Sequence, residues 1–321
     1  MNDKINVLLI LTVISLFISL FLAFFLLTVK TKHKTSNSLF AFFLILTAID
    51  SSSPLLELVT TSPSNLGMFR TTLAFLQLPV FYLYVVSVCY SDFRLKPKYI
   101  LHLLPFIVSN VILLPRFYLV DAAAKMNFII NRKNMIEIPF NHILIHIQIL
   151  VYFIAVFVLL KKAKKLYLEN FAGANINSYN WLFQFTIVLS ILYFIALFKN
   201  IFKFSDYPQI FEWIKIVIIV FQLFIACWYL YKALNYPNLF RNIDSNLKLV
   251  SDIVLEEKDS LIDTITGRDR EELEKLQQYM VTEKPFLDPS LTIQDVSLAI
   301  KIPARDLSLL MRQATQCRRV K

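Results

Sequence analysis

Long apolar runs separated by short charged connectors make up the first three quarters of the chain. Seven of these runs, near 5–29, 39–59, 69–90, 99–119, 140–160, 181–198 and 210–234, reach the length of about 20 residues that a helix needs to cross a bilayer. Asp50, three serines and Pro54 interrupt the second. A single run of this kind can be the core helix of a large soluble protein, but seven in succession predict a membrane bundle. After Tyr236-Pro237 the pattern changes. Residues 253–265 and 270–281 read as amphipathic helices, the second with a stripe of Leu273, Leu276 and Met280 and an i, i+4 pair of Glu271 and Lys275. Two prolines, Pro285 and Pro289, then break the helix.

The last apolar periodicity is short. Leu291, Val296, Ala299 and Ile300 fall on one helical face, with Thr292 or Ser290 to cap its start and Asp295 in the first turn. Ile302-Pro303 interrupts, because a proline disfavours helical geometry before it and suits the first turn after it. A second helix over 304–313 carries Leu307, Leu310 and Met311. Two short helices around a tight turn make a helix-turn-helix candidate. The predicted fold class is all-α: a seven-helix transmembrane bundle over 1–236, a cytosolic linker over 237–269 and a helical C-terminal domain over 270–321.

Charge sets the expected orientation. The connectors after spans one, three and five hold Lys30, Lys32 and Lys34, then Arg94, Lys96 and Lys98, then Lys161, Lys162, Lys164 and Lys165. The alternate connectors hold Arg70, then Arg116, Lys125, Arg132 and Lys133, then Lys199 and Lys203. Only the long fourth connector departs from the positive-inside pattern. The N-terminus is therefore expected outside and everything after Tyr236 in the cytosol, in a bacterial inner (cytoplasmic) membrane. A net charge of +10 fits the same rule and adds little about nucleic acid.

Composition narrows the chemistry. Three glycines against 29 phenylalanines leave no Gly-rich phosphate loop and disfavour close Gly-lined helix packing. Cys89, Cys227 and Cys317 form neither a disulfide framework nor a metal-binding pair. The first run is long enough to span and lacks a cleavage site, so no cleavable signal peptide is expected. No nucleophile elbow, paired catalytic carboxylates or cofactor motif is present, so neither an enzyme nor a cofactor is expected. Trp181, Trp213, Tyr90, Tyr99, Tyr118 and Tyr236 lie at span ends, as an aromatic belt would.

Ionisable residues inside the spans are ligand-binding candidates, because a charge in hydrocarbon is costly. Asp50 and Glu57 are seven apart on one helical face, facing either a polar cavity or the outer interface, and Pro54 between them can open the helix. His142 and His146 have the i, i+4 spacing of two metal ligands, but no carboxylate or cysteine nearby completes a site, and no metal is expected. Glu212 and Lys215 read as an interfacial pair. Gln77, Asn110, Gln184 and Gln222 are single polar groups suited to joining helices.

The run 271–311, EELEKLQQYMVTEKPFLDPSLTIQDVSLAIKIPARDLSLLM, resembles the start of AraC-type transcription-regulator DNA-binding domains. The nearest likeness is to the Bacteroidetes-like subgroup that carries a multi-span membrane region ahead of that domain. Phe286-Leu287-Asp288-Pro289 and Leu291-Thr292-Ile293 match the lead-in to the first helix, and Arg305-Asp306-Leu307-Ser308 the start of the recognition helix. The resemblance implies a DNA partner, with Arg305, Ser308 and Arg312 on the exposed face of that helix as base and phosphate contacts. Two departures stand out. The family has a glycine in the turn where this chain has Lys301. The family also continues into a linking helix and a second helix-turn-helix, whereas residues 314–321, ATQCRRVK, lack the apolar pattern expected there and read as a truncated or frameshifted end. Weakened DNA binding follows, since half a reader makes fewer phosphate and base contacts.

The expected function is thus a membrane-bound transcription regulator that couples a membrane or extracellular signal to a cytosolic DNA reader. Tethering on one membrane favours a homodimer, through effective concentration. A membrane sensor acting through a protein partner, and a transporter with a helical tail, are the alternatives. The orientation is directly testable: a reporter active only in the cytosol should work when fused after Tyr236 and fail when fused ahead of Asn2.

Overall fold

The structure, a computed structural model, describes residues 2–29, 34–60, 62–90, 93–132, 134–170, 177–202, 208–235, 267–288, 291–303 and 306–307. Helices are the only regular elements among them. The membrane region comprises α1 (Asn2–Thr28), α2 (Lys34–Ser51), α3 (Ser53–Val59), α4 (Asn65–Thr72), α5 (Ala74–Cys89), a 3-10 helix (Pro97–Leu103), α6 (Leu104–Leu113), a π-helical turn (Leu114–Tyr118), α7 (Ala122–Ile130), α8 (Glu137–Asn170), α9 (Asn177–Phe202) and α10 (Pro208–Asn235). The C-terminal unit holds α11 (Gly267–Thr282), a 3-10 turn (Pro285–Leu287) and α12 (Ile293–Ile300).

Among the described residues six helices are long and apolar enough to cross a membrane: Asn6–Thr28, Asn65–Cys89, Pro97–Tyr118, Glu137–Leu168, Ser178–Phe202 and Gln209–Lys232. The second run of the sequence is not among them as one rod. It is the pair α2 and α3, bent by 45°, which makes a seventh span only if the bent pair is counted as one. Pro54, at the start of α3, explains the bend, since it lacks the N–H that would continue the ladder. The lysines 161–165 also differ from expectation: they lie on the last turns of α8 rather than in a connector.

Neighbouring helices form a closed circuit, α1 on α2, α2 on α5, α5 on α8, α8 on α9, α9 on α10 and α10 back on α1, while α6 packs on α8. The Asn65–Cys89 span is the most deeply placed, with 72% of its window buried against 17–33% for the others. Aromatic rings fill the centre where small residues are scarce. Phe40, only 1% exposed, stands 4.7 Å from both Tyr84 and Tyr229 and 5.8 Å from Phe185, so one side chain of α2 touches α5, α9 and α10. Trp181 and Tyr90 are buried in this core rather than set in a lipid-facing belt; Trp213 is exposed.

Prolines recur in the spans, and each frees the carbonyl four residues before it. Local 3-10 bonds take up three of these: Leu104 N–H to Leu101 O before Pro105, Leu114 N–H to Val111 O before Pro115, and Ile138 N–H to Met135 O before Pro139. Side chains from other helices take up two more, as described below.

The C-terminal unit has its own small core. Leu276 of α11, Val296 of α12, Ile302 and Leu307 are buried together, with Tyr279, Met280, Leu291, Ile293 and Ile300 packed around them. Thr292 caps α12 in a reciprocal capping box: its hydroxyl accepts from Asp295 N–H at 3.1 Å, and the Asp295 carboxylate accepts from Thr292 N–H at 3.0 Å. The helix closes on Lys301, which is left-handed at φ 56°, with Ile302 N–H bonding back to Ser297 O at 3.2 Å. Leu307 N–H then bonds to Pro303 O at 3.0 Å, one helical turn past the break. The helix proposed from sequence over 253–265, the Leu273 and Glu271 side chains and the cap Ser290 lie outside what is described.

A left-handed lysine costs about 1 kcal/mol relative to glycine. Lys301→Gly should therefore stabilise the unit by about that amount, and Thr292→Ala should destabilise it by about 1 kcal/mol. Amide hydrogen exchange across residues 293–300 of the full chain reads both changes.

Candidate functional site

The bend between α2 and α3 gathers the polar groups that the sequence marked in the second span. Pro54 leaves Asp50 O without its helical donor, and Arg70, reaching over from α4, supplies one. Its Nη1 donates to Asp50 O at 3.2 Å and to Ile49 O at 3.3 Å, and its Nη2 donates to Ser53 Oγ at 3.3 Å. Ser53 in turn donates to Glu57 Oε1 at 3.1 Å. The Arg70 guanidinium is thus satisfied by neutral acceptors, and its positive charge lies at the C-terminal end of α2, where the helix dipole favours it. Asp50 and Glu57 are both exposed, one on each side of the bend, so the break divides the single face that a continuous helix would have given them.

Inward of this bend lies a layer of buried amides. The Ser51 hydroxyl is 2.9 Å from Gln222 Oε1, linking α2 to α10. Gln77 Nε2 donates to Leu46 O at 3.4 Å while its Oε1 accepts from Tyr193 OH at 2.7 Å, so one side chain of α5 ties α2 to α9. Gln148 Nε2 donates to Phe75 O at 2.8 Å. That carbonyl is the one Pro79 leaves free inside α5, so α8 completes the ladder of α5. Asn110 joins three segments in the same way, bonding Thr72 and Tyr118 through Oδ1 and Phe106 O through Nδ2. Gln77, Asn110 and Gln222 therefore join helices as expected, whereas Gln184 is exposed. Nothing in the order of residues says that Arg70 and Gln148 would answer particular prolines; only the opening of the helix at Pro54 was foreseeable.

The remaining candidates are simpler. His142 and His146 stand with ring centroids 6.3 Å apart, and His146 Nε2 lies 3.3 Å from Asn200 Nδ2. Among the described residues no group of three or more His, Cys, Asp or Glu could hold a metal ion. Glu212 and Lys215 pair at 2.8 Å. An ion pair not expected from sequence joins Arg116 of the π-helical turn to the buried Glu137 at 3.4 Å, beside an apolar cap of Leu113, Phe117 and Phe128. Arg305, Ser308 and Arg312, the DNA-contact candidates, lie outside the described residues.

Chemically, the constellation offers hydrogen bonds and one guanidinium, set around a bend and contributed by α2, α3, α4, α5, α8, α9 and α10. It holds these helices in one arrangement. No family model matches the chain, and no curated protein and no solved structure matches it.

The proline repairs can be tested as pairs. Gln148→Leu should cost about 1–3 kcal/mol by stranding Phe75 O, and most of that cost should vanish in a Pro79→Ala background that restores the backbone donor. Arg70→Ala and Pro54→Ala should show the same coupling. Thermal unfolding of the purified chain in lipid nanodiscs completes both cycles.

Proposed function

We propose that the protein is a membrane-bound transcription regulator in which a seven-span bundle, with the bent pair α2 and α3 as its second span, governs a C-terminal helix-turn-helix in the cytosol. The observation that carries this reading is the turn between α12 and the segment after it. A capped short helix ends in a left-handed residue, and the chain re-enters a helical turn with Ile302 and Leu307 buried against Val296. The left-handed residue is Lys301, the position at which AraC-type regulators carry glycine, and glycine is what such a conformation favours. Resemblance in sequence and backbone geometry thus meet at one residue.

In this reading Arg305, Ser308 and Arg312 contact DNA from the second helix. The signal acts on the bend and the amide layer, where a ligand or a change in the membrane that prefers one arrangement of α2 and α3 shifts the population of the bundle. The N-terminus lies outside and the lysine-rich connectors inside, in a bacterial cytoplasmic membrane, with two copies pairing their readers. A second reading, a sensor that signals through a protein partner, rests on Val281, Phe286, Leu287 and Leu298, large apolar side chains that the C-terminal unit exposes.

Recovery of DNA crosslinked to the full-length protein in cells separates the two. The first reading expects specific sites whose recovery falls about 10- to 100-fold with Arg305→Ala. Recovery unchanged by that substitution, with a protein partner lost on Leu298→Asp, would replace it with the second.

A further inference from the structure

One end of the bundle carries a concentration of cations on two elements. Arg94, Lys96 and Lys98 lie on and before the 3-10 helix, and Lys161 and Lys162 on α8; all five are exposed. Among the described residues Lys96, Lys98, Lys161 and Lys162 make no ion pair, and Lys98 lies over the Tyr99 ring at 5.4 Å.

The fold brings the two groups to one level. His102 Nδ1 lies 2.6 Å from Tyr152 OH, which pins the 3-10 helix to α8. From that tie, Lys96 is about 13 Å back along the 3-10 helix and its lead-in, and Lys161 about 13 Å forward along α8, by the rise per residue of each form. The two segments run antiparallel, so both distances lead to the same end of the bundle.

From the cations towards the middle of the spans, each element presents an apolar stripe. Ile100, Leu104, Ile107 and Val111 are exposed at helical spacing on one, and Ile147, Val151, Ile154 and Val158 on the other. The result is a pair of adjacent apolar walls leading up to a cationic lip.

We infer that this seam, between the 3-10 helix with α6 and α8, is a binding site for an anionic phospholipid. Its phosphate lies among Lys96, Lys98 and Lys161, and its acyl chains lie along the two stripes. Charge complementarity selects the headgroup, since basic residues at the membrane surface attract anionic lipid and a zwitterionic headgroup gains little from them. The apolar stripes distinguish a lipid from a free phosphate, because only a lipid has chains to bury there. The site binds α6 and α8 together from outside, as His102 and Tyr152 do from within.

The experiment is native mass spectrometry of the full-length protein, released from nanodiscs containing equal amounts of phosphatidylglycerol or cardiolipin and phosphatidylcholine. The wild type should retain the anionic lipid preferentially, and each single change Lys96→Gln, Lys98→Gln or Lys161→Gln should lower retention about fivefold. The combined change Lys125→Gln, Arg132→Gln and Lys199→Gln, at the opposite end, should leave it unaltered. Equal retention of both lipids, equal loss from both sets of substitutions, or displacement of the lipid by excess inorganic phosphate would overturn the assignment. Lys96, Lys98, Lys161 and Arg132 are exposed and Lys125 and Lys199 half-buried, so size-exclusion profiles matching the wild type are required of every variant to establish that it is folded.

Discussion

In a hydrocarbon environment every backbone N–H and C=O must find its partner within the protein, and this constraint governs the whole membrane region. It makes the spans helical, and it makes each internal proline a point where something must compensate. At Pro105, Pro115 and Pro139 the chain tightens locally and repairs itself with 3-10 bonds. At Pro54 and Pro79 the repair comes from elsewhere, from Arg70 and Gln148. Those two repairs convert local backbone defects into links between α4 and α2 and between α8 and α5. Two of the bundle's polar cross-links are therefore consequences of where its prolines fall.

The centre of the bundle is built differently from one that relies on glycine and alanine contacts. With only three glycines in the chain, helices meet through rings, and Phe40 touches partners on three other helices. Such a core is tightly packed on the side away from the bend. The amide layer of Gln77, Gln148 and Gln222 lies on the bend's side, where buried hydrogen bonds tie α2 to α9 and α10 and α8 to α5.

Among its described residues the C-terminal unit has a much smaller core, four buried side chains with a rim of half-buried ones. Its definition comes from local devices: the capping box at Thr292 and Asp295, and the closure at Lys301. Both depend on a few neighbouring residues, which is why a short stretch of sequence already indicated the cap and the break, though not the form of the closure. Thr292, Asp295 and the break at Ile302-Pro303 were all legible. The left-handed geometry at Lys301 was not, because lysine is not a residue that announces it.

Much of the membrane region was readable from the order of residues. Spans are a matter of length and apolarity, which hydrocarbon enforces one segment at a time, so six of the seven expected runs recur among the described residues as helices long and apolar enough to cross a membrane. The interruption at Pro54 was visible for the same reason. The tertiary structure decided what depends on distant segments meeting. It turned the second run into a bent pair, paired Arg70 with the carbonyls freed there, placed Trp181 and Tyr90 in the core rather than in a belt, and brought Glu137 to Arg116. A single chain direction specifies that a partner is needed; only the folded arrangement specifies which residue, 16 or 69 positions away in the case of Arg70 with Pro54 and Gln148 with Pro79, comes close enough to provide it.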